Sequence, residues 1–329
     1  MKKKISLLLS ALFLTGLLAA CGGGNNATSA NGGAASGGRL TFTTGGDQGT
    51  YYALGSVLAG QVSAATDTTV TAITSGGSQA NILALSDGDA EIAFAQSDVM
   101  SYAYEGTNLF DSAVPGFSTL AALYTEQVQI VTLDPNLTSV ADLVGKTVSV
   151  GDAGSGTYFN AVDILNAYGI DAENDINPVY ESFGTSVDSL QDGKIDAAFV
   201  VAGAPTNAVT SLATTKTVYL ISLDDDHINA LIASSPYYTR NVIPAATYNL
   251  PGDATTVAVG AVVIARDDVS DDDAYNFVSG VFENLDAVTA SHAKGAELNL
   301  NFAASVTSVP YHPGAARYFS EKGFDVPTK

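Results

Sequence analysis

From residue 40 onward the chain alternates short apolar or β-branched runs with stretches whose apolar residues recur at helical spacing. Runs at 40–44, 69–73, 92–96, 129–133, 147–150, 178–181, 195–201 and 218–221 predict strands. Between them, 51–64, 79–85, 158–167 and 205–213 predict helices. Such alternation is the signature of an α/β protein. A loop-like stretch marked by Pro236, Pro244 and Pro251 follows. Then 256–265 (TVAVGAVVIA) predicts a long buried strand. Residues 271–292 predict one long helix, with Ala274, Phe277, Val278, Val281, Phe282, Leu285 and Val288 on a single stripe. This tail is expected to return to the first half of the body. The chain would then cross between two lobes twice, near 129–133 and 256–266, and the two crossings would form a hinge.

Two fragments recur at nearly constant offset. Gly49-Thr50-Tyr51 ends a glycine-rich loop after the first strand (GGDQGTY), and Gly156-Thr157-Tyr158 ends a second such loop (GDAGSGTY) 107 positions later. The stretch 85–94 (LSDGDAEIAF) returns as 190–199 (LQDGKIDAAF), offset by 105. These repeats predict two lobes of like topology, each with a strand, a glycine loop and a helix, and later a helix ending at Asp-Gly before a buried strand. Independent use of the common Asp-Gly turn is the alternative. The expected division is 39–131 with 257–329 as lobe I and 132–256 as lobe II.

The first 38 residues follow a different pattern. Lys2-Lys3-Lys4, a fourteen-residue apolar run at 5–18 and Ala19-Ala20-Cys21 read as a secretory leader over 1–20. The apolar run is short of the roughly 20 residues that span a bilayer. Leu18-Ala19-Ala20-Cys21 resembles the bacterial lipobox, which implies lipidation at Cys21; cleavage nearby with a free thiol is the alternative. Residues 22–38 (GGGNNATSANGGAASGG) carry no charge and no hydrophobic period, the composition of a flexible tether with an r.m.s. span of roughly 23 Å. The expected location is outside the cytoplasmic membrane, on a lipid anchor.

Composition narrows the function. The 329 residues suit two lobes, and 46% hydrophobic against 14% charged residues excludes intrinsic disorder. Thirteen Lys+Arg stand against 34 Asp+Glu, a net charge of −21, and loss of the three leader lysines takes this to about −24. Such a surface repels phosphate backbones, so nucleic-acid binding is not expected. One Cys and three His exclude a disulfide framework and a Cys/His zinc site. The acidic runs 224–226, 267–268 and 271–273 lack the spacing of a calcium loop and read as helix N-termini and solvated loops. No metal and no cofactor are expected.

A strand feeding a glycine-rich loop into a helix start leaves N–H groups at the positive end of the helix dipole, where anions bind. Two such loops can face each other across a cleft at the strand C-termini. The candidates are Gly45, Gly46, Thr50 and Tyr51 in the first lobe and Gly154, Ser155, Gly156 and Thr157 in the second. Ser75-Gly76-Gly77-Ser78 offers a further helix start, and Gln96-Ser97-Asp98 falls on the same edge. Alternatively the loops are only tight turns. Neither carries a nucleotide-binding spacing, and Ser155 lacks the Gly-x-Ser-x-Gly context of a hydrolase, so an enzyme is not expected. None of the four Arg lies in a candidate loop. A ligand carboxylate would therefore rest on amides, hydroxyls and Gln96, and an ammonium group would sit near a carboxylate, with Asp98 as one candidate, or near the Tyr rings.

Taken together, TTGGDQGTYYALGSVLA, TSGGSQANILALSDGDAEIAFAQSDVMSYAYEG, SVADLVGKTVSVGDAGSGTYFNAVDIL, SLQDGKIDAAFVVAGAPTNAV, LISLDDDHI and VPYHPGAARYFSEKGF resemble the TAXI-type solute receptors of TRAP transporters. The resemblance covers nearly all of the chain after Arg39. It implies a type II periplasmic-binding-protein fold with two Rossmann-like lobes, a two-strand hinge and a ligand cleft. It also implies a ligand such as glutamate, glutamine or a related dicarboxylate, delivered to a TRAP permease in the membrane. The family's loops map onto 45–52, Ser75–Gly77–Ser78, Gln96–Ser97 and Ser155–Gly156–Thr157. The resemblance adds Phe183 and the turn at Val201, Ala202 and Gly203 as cleft lining. A lipoprotein that senses a ligand for a membrane receptor is the alternative function.

Overall fold

The computed structural model describes residues 37–329. The leader, Cys21 and most of the tether lie outside the described residues. Gly38, expected at the tether's end, is already part of the body: its N–H donates to Asp273 Oδ1 at 2.8 Å, and its carbonyl accepts from Thr69 N.

The first half of the body runs β1 (Arg39–Thr43), α1 (Thr50–Ala65), β2 (Thr69–Ile73), α2 (Ser78–Asp87), β3 (Ile92–Gln96) and α3 (Ser97–Glu105). A long strand, β4 (Phe117–Thr132), leads to β5 (Thr147–Ser149), α4 (Gly156–Ala167), β6 (Asn177–Val179), α5 (Phe183–Gln191) and β7 (Ala197–Ala202). Next come α6 (Asn207–Ala213), β8 (Tyr219–Leu220), α7 (Asp225–Ser234), β9 (Thr239–Ile243), the second long strand β10 (Ala254–Arg266) and α8 (Asp271–Phe282). The sheet order is β2-β1-β3-β10-β4-β7-β5-β6, with β8 beside β4 and β9 beside β10.

Two parallel triplets, β2-β1-β3 and β6-β5-β7, flank two antiparallel central strands. The duplication read from sequence is thus a duplication of topology and of register. Phe42 pairs with Ile92 in the first triplet, and Val148 pairs with Ala197 in the second. The Asp-Gly repeat works the same way twice: Gly88 (φ 81°) and Gly193 (φ 69°) take the left-handed conformation that ends a helix before a buried strand. β3 and β7 are buried along their whole length, as apolar strands covered on both faces must be.

β4 and β10 join the halves. On β4, Phe117 and Leu120 to Tyr124 pack in the first core, Val128 and Ile130 in the second, and Val131 in a third cluster on the other face of the second half. On β10 the change falls between Val259 and Ala261. The three β4 residues between the cores are polar: Thr125, Glu126 and Gln127, with Thr125 opposite Gly260 and Glu126 opposite Val259.

Three expectations need correction. The crossing expected at 129–133 begins at Phe117, because the polar triplet interrupts the apolar run without interrupting the ladder. The stretch expected as a loop between Pro236 and Pro244 contains β9, an edge strand that ends where proline can no longer donate. The helix expected over 271–292 stops at Phe282 and restarts at Leu285. Asn284 Nδ2 donates to the Gly280 carbonyl at 2.9 Å, replacing the backbone donor that would continue the helix. The acidic runs behave as expected: Asp224 caps α7, and Asp271, Asp272 and Asp273 fill the first turn of α8.

Phe94 is fully buried and stacks on Phe42 (5.0 Å) and on Tyr51 (4.4 Å). Phe94→Ala is expected to lower the unfolding free energy by about 3–5 kcal/mol in urea titration; a loss below about 1 kcal/mol would show that this stack does not anchor the first core.

Candidate functional site

Four helices start at one cavity. In each triplet the first strand feeds one helix start and the second strand feeds another, so α1, α2, α4 and α5 all point their N-termini between the halves. Gly45, Gly46, Gly49, Thr50 and Tyr51 line it from the first loop, and Gly76, Gly77 and Ser78 from the second. Across the gap stand Asp152, Ser155, Gly156 and Thr157 from the loop before α4, and Ser182, Phe183 and Gly184 from the start of α5. Gln96, Glu126, Val201 and Ala202 close the interior. The cavity measures about 60 Å³, several times the roughly 10–15 Å³ that one water requires.

Local clamps hold these starts in place. Asn81 on α2 donates from Nδ2 to the carbonyls of Thr44 and Phe94 and accepts from Thr43 Oγ1, tying α2 to β1 and β3. The duplicate position, Ser186 on α5, pairs with Ser149 on β5 at 2.7 Å. The N-caps differ between the halves. α1 and α2 are capped by Gly49 and Gly77, which have no side-chain acceptor, whereas Ser155 and Ser182 accept from Tyr158 N and Thr185 N. In the first half α1 thus presents an uncapped N-terminus, the more favourable place for an anion, whereas α2 is covered from the second half by the Gly154 carbonyl.

The halves touch over the cavity. Gln79 N and Ala80 N both donate to the Gly154 carbonyl, at 3.0 and 3.2 Å. Thr50 Oγ1 donates to the Gly203 carbonyl at 3.0 Å, and Ala208 N to the Gln48 carbonyl at 3.3 Å. Gly156 approaches Gln96 so closely that a Cβ there would lie 2.0 Å from Gln96 Oε1. No other residue type permits this contact.

At the inner end of the cavity lies Glu126, fully buried at the junction of the two cores. Tyr51 donates its hydroxyl proton to Glu126 Oε2 at 2.7 Å. Burial pushes the Glu126 carboxyl up to about 8, against the opposing pull of the Tyr51 hydrogen bond and the Lys294 charge. Lys294 is itself buried, pairs with Glu297 at 2.5 Å and sits 5.6 Å from the Tyr124 ring centre. Gln96 Oε1 and the Tyr124 hydroxyl are buried without a partner. Asp47 and Asp152 add carboxylates to the lining. The cavity therefore has two electrical characters: helix N-termini that favour an anion, and carboxylates with an orphaned amide oxygen that favour a cation or a donor.

Of the residues expected from sequence, Gly45, Gly46, Thr50, Tyr51, Gly77, Ser78, Gln96, Ser155, Gly156, Thr157, Phe183 and Ala202 meet at this one cavity. Gly49 and Gly156, the two repeat glycines, share it. Four others do not line it. Gly154 turns its carbonyl to Gln79 N and Ala80 N. Ser75 accepts from Gly77 N and braces the second loop. Ser97 accepts from Gly260 N on β10. Gly203 lies behind the lining, where its carbonyl receives Thr50. Asp98 also points elsewhere, to Asn160. Glu126 takes the place considered for Asp98.

Residues 42–323 match the NMT1-like family, and the chain belongs to that family. Among solved structures, MatC from Rhodopseudomonas palustris with bound malate is similar at a TM-score of 0.58 and 14% identity, over 86% of this chain and 97% of that one. A Bordetella bronchiseptica RB50 protein aligns at a TM-score of 0.54 and 15% identity, over 87% and 98%. A periplasmic transporter aligns at 0.50 and 14%, over 78% and 84%. The likeness establishes a mixed α/β, two-lobe binding-protein fold. No helix of the described residues is long and apolar enough to cross a membrane.

A buried acid with a raised folded pKa holds, between about 4.5 and about 8, a proton that the unfolded chain has lost. Stability supplied this way falls as pH rises through that window and levels off above it. Glu126→Gln should therefore gain on the wild type between pH 5 and pH 9, by on the order of 3 kcal/mol in urea unfolding. An unchanged difference across the window would show that Glu126 is hydrated.

Proposed function

We propose that this NMT1-like protein is an extracytoplasmic solute receptor that captures a small amino acid by closing its two lobes, and that it is not an enzyme. The observation that carries the reading is the pairing, in one cavity, of the uncapped N-terminus of α1 with a buried carboxylate. A zwitterion satisfies both at once: its carboxylate lies at the start of α1, and its ammonium group takes the place on Glu126 that a proton fills only in the empty closed form, with Gln96 Oε1 as a second acceptor. No Lys, Arg or His is among the lining residues, so the carboxylate is held by amides and hydroxyls. The absence of a His or Lys beside the lining hydroxyls also favours binding over nucleophilic catalysis.

Among the ligands implied by the TAXI resemblance, this arrangement favours glutamate and glutamine over 2-oxoglutarate, which brings no cation to Glu126. The lobes are taken as 39–131 with 257–329 and 132–256; both divisions fall on the crossing strands β4 and β10. The contacts between Gln79, Ala80 and Gly154 and between Thr50 and Gly203 form on closure, and the two strands act as the hinge. The lipobox-like sequence ending at Cys21 supports a lipid anchor outside the cytoplasmic membrane, and the TAXI resemblance supports delivery of the solute to a TRAP permease.

Titration calorimetry with L-glutamate, L-glutamine and 2-oxoglutarate tests the reading. The two amino acids are expected to bind, 2-oxoglutarate to bind more weakly, and Glu126→Gln to weaken the amino acids by about 100-fold or more. No heat with all three rejects the ligand class, and preference for 2-oxoglutarate rejects the role of Glu126.

A further inference from the structure

Away from the cavity, a second buried polar cluster spans the two halves. Asp98, near the start of α3 in the first half, is fully buried and accepts from Asn160 Nδ2 of α4, in the second half, at 2.7 Å. The other Asn160 amide proton goes to the Tyr238 hydroxyl at 2.8 Å, and Tyr238 donates to Asp163 Oδ2 at 2.9 Å. This chain fixes the orientation of the Asn160 amide, because its nitrogen serves two acceptors. Two oxygens remain buried with no donor: Asp98 Oδ1 and Asn160 Oδ1. A carboxylate and an amide joined through one hydrogen bond, each with its second oxygen orphaned, lack one proton between them.

We propose that lobe closure loads a proton onto Asp98, where it bonds Asn160 Oδ1 and completes a carboxyl–carboxamide pair between the halves, so that solute is captured more tightly as pH falls. The inference rests on the reading of the two halves as lobes that close on a solute. The charged and titratable groups facing Asp98 are Asp163 on α4, Tyr238 in the segment before β9, Tyr102 on its own helix and Glu126 on β4. None of these is a cation; Asp163 disfavours a charged Asp98, whereas the Val99 N–H and Asn160 favour it and burial outweighs them. Burial raises the Asp98 carboxyl to about 7 in the closed form. When the halves part, Asp98 meets water and returns toward its ordinary value near 4. Closure then takes up a proton between about pH 4 and pH 7, is progressively penalised as pH rises through that window, and is insensitive to Asp98 above it.

Asp98→Asn supplies the missing donor permanently, since its Nδ2 can donate to Asn160 Oδ1 while its Oδ1 accepts from Asn160 Nδ2. The test is the L-glutamate affinity of wild type and of Asp98→Asn from pH 5 to pH 8.5. The wild-type affinity is expected to fall by about tenfold per pH unit between pH 5 and pH 7. The variant is expected to lack that slope and to bind more tightly than wild type at pH 8. Equal slopes, or weaker binding by the variant at pH 8, overturn the proposal. Calorimetry of the wild type alone, at pH 6 in two buffers of unlike ionisation heat, should count about one proton taken up per glutamate bound; none taken up overturns it without recourse to a variant. Small-angle scattering of the solute-free proteins separates this inference from the ligand reading. If glutamate gives no heat but acid compacts the wild type more steeply with pH than the variant, the proton latch stands and the ligand assignment falls. If glutamate binds with an affinity independent of pH, the latch falls and the assignment stands. Neither heat nor compaction overturns both.

Discussion

A carboxylate buried where two hydrophobic cores meet is the constraint around which the rest of this protein is arranged. β4 carries apolar residues into both cores, yet between them it places Thr125, Glu126 and Gln127. An unpaired charge at that depth is expensive, so the group must hold a proton, find a cation or be exposed by movement. Tyr51 offers one hydrogen bond, and the buried Lys294 lies close enough to act through its field. Neither neutralises the carboxylate outright. A cationic group delivered from outside would do so, which ties occupancy of the cavity to the strand that joins the halves.

The duplicated scaffold explains how four helix starts reach this carboxylate. Each triplet of parallel strands ends on the same edge, and β4 and β10 turn the two edges toward one another. The copies have diverged in their caps. The glycine cap of α1 leaves N–H groups available, those at the start of α2 meet the Gly154 carbonyl, and the serine caps in the second half are occupied internally. Across the gap, Gly156 lies close against Gln96.

Features fixed by local chemistry were legible in the chain. The Asp-Gly helix ends, the glycine loops and the strand ending at Gln96 depend on residues within a few positions of one another, and they fall where the pattern puts them. Ser75 and Ser97 belong to the right loops but turn their hydroxyls to backbone N–H groups, and Gly203 turns its carbonyl to the Thr50 hydroxyl; spacing does not encode these directions. Glu126 is different. Its signal is present as a Thr-Glu-Gln break in an otherwise apolar run, but its burial follows from the pairing of β4 with β10 and β7, more than 70 residues away in sequence. Asn284 similarly ends a helix through one side-chain hydrogen bond inside a sequence of good helical period.

Identification by mass spectrometry of the small molecule released on denaturing the purified protein bears most directly on the central claim. The account predicts an α-amino acid, with a free ammonium group to meet Glu126 and a carboxylate to meet the helix starts. A retained solute without a cationic nitrogen, such as a dicarboxylate held in stoichiometric amount, would contradict it.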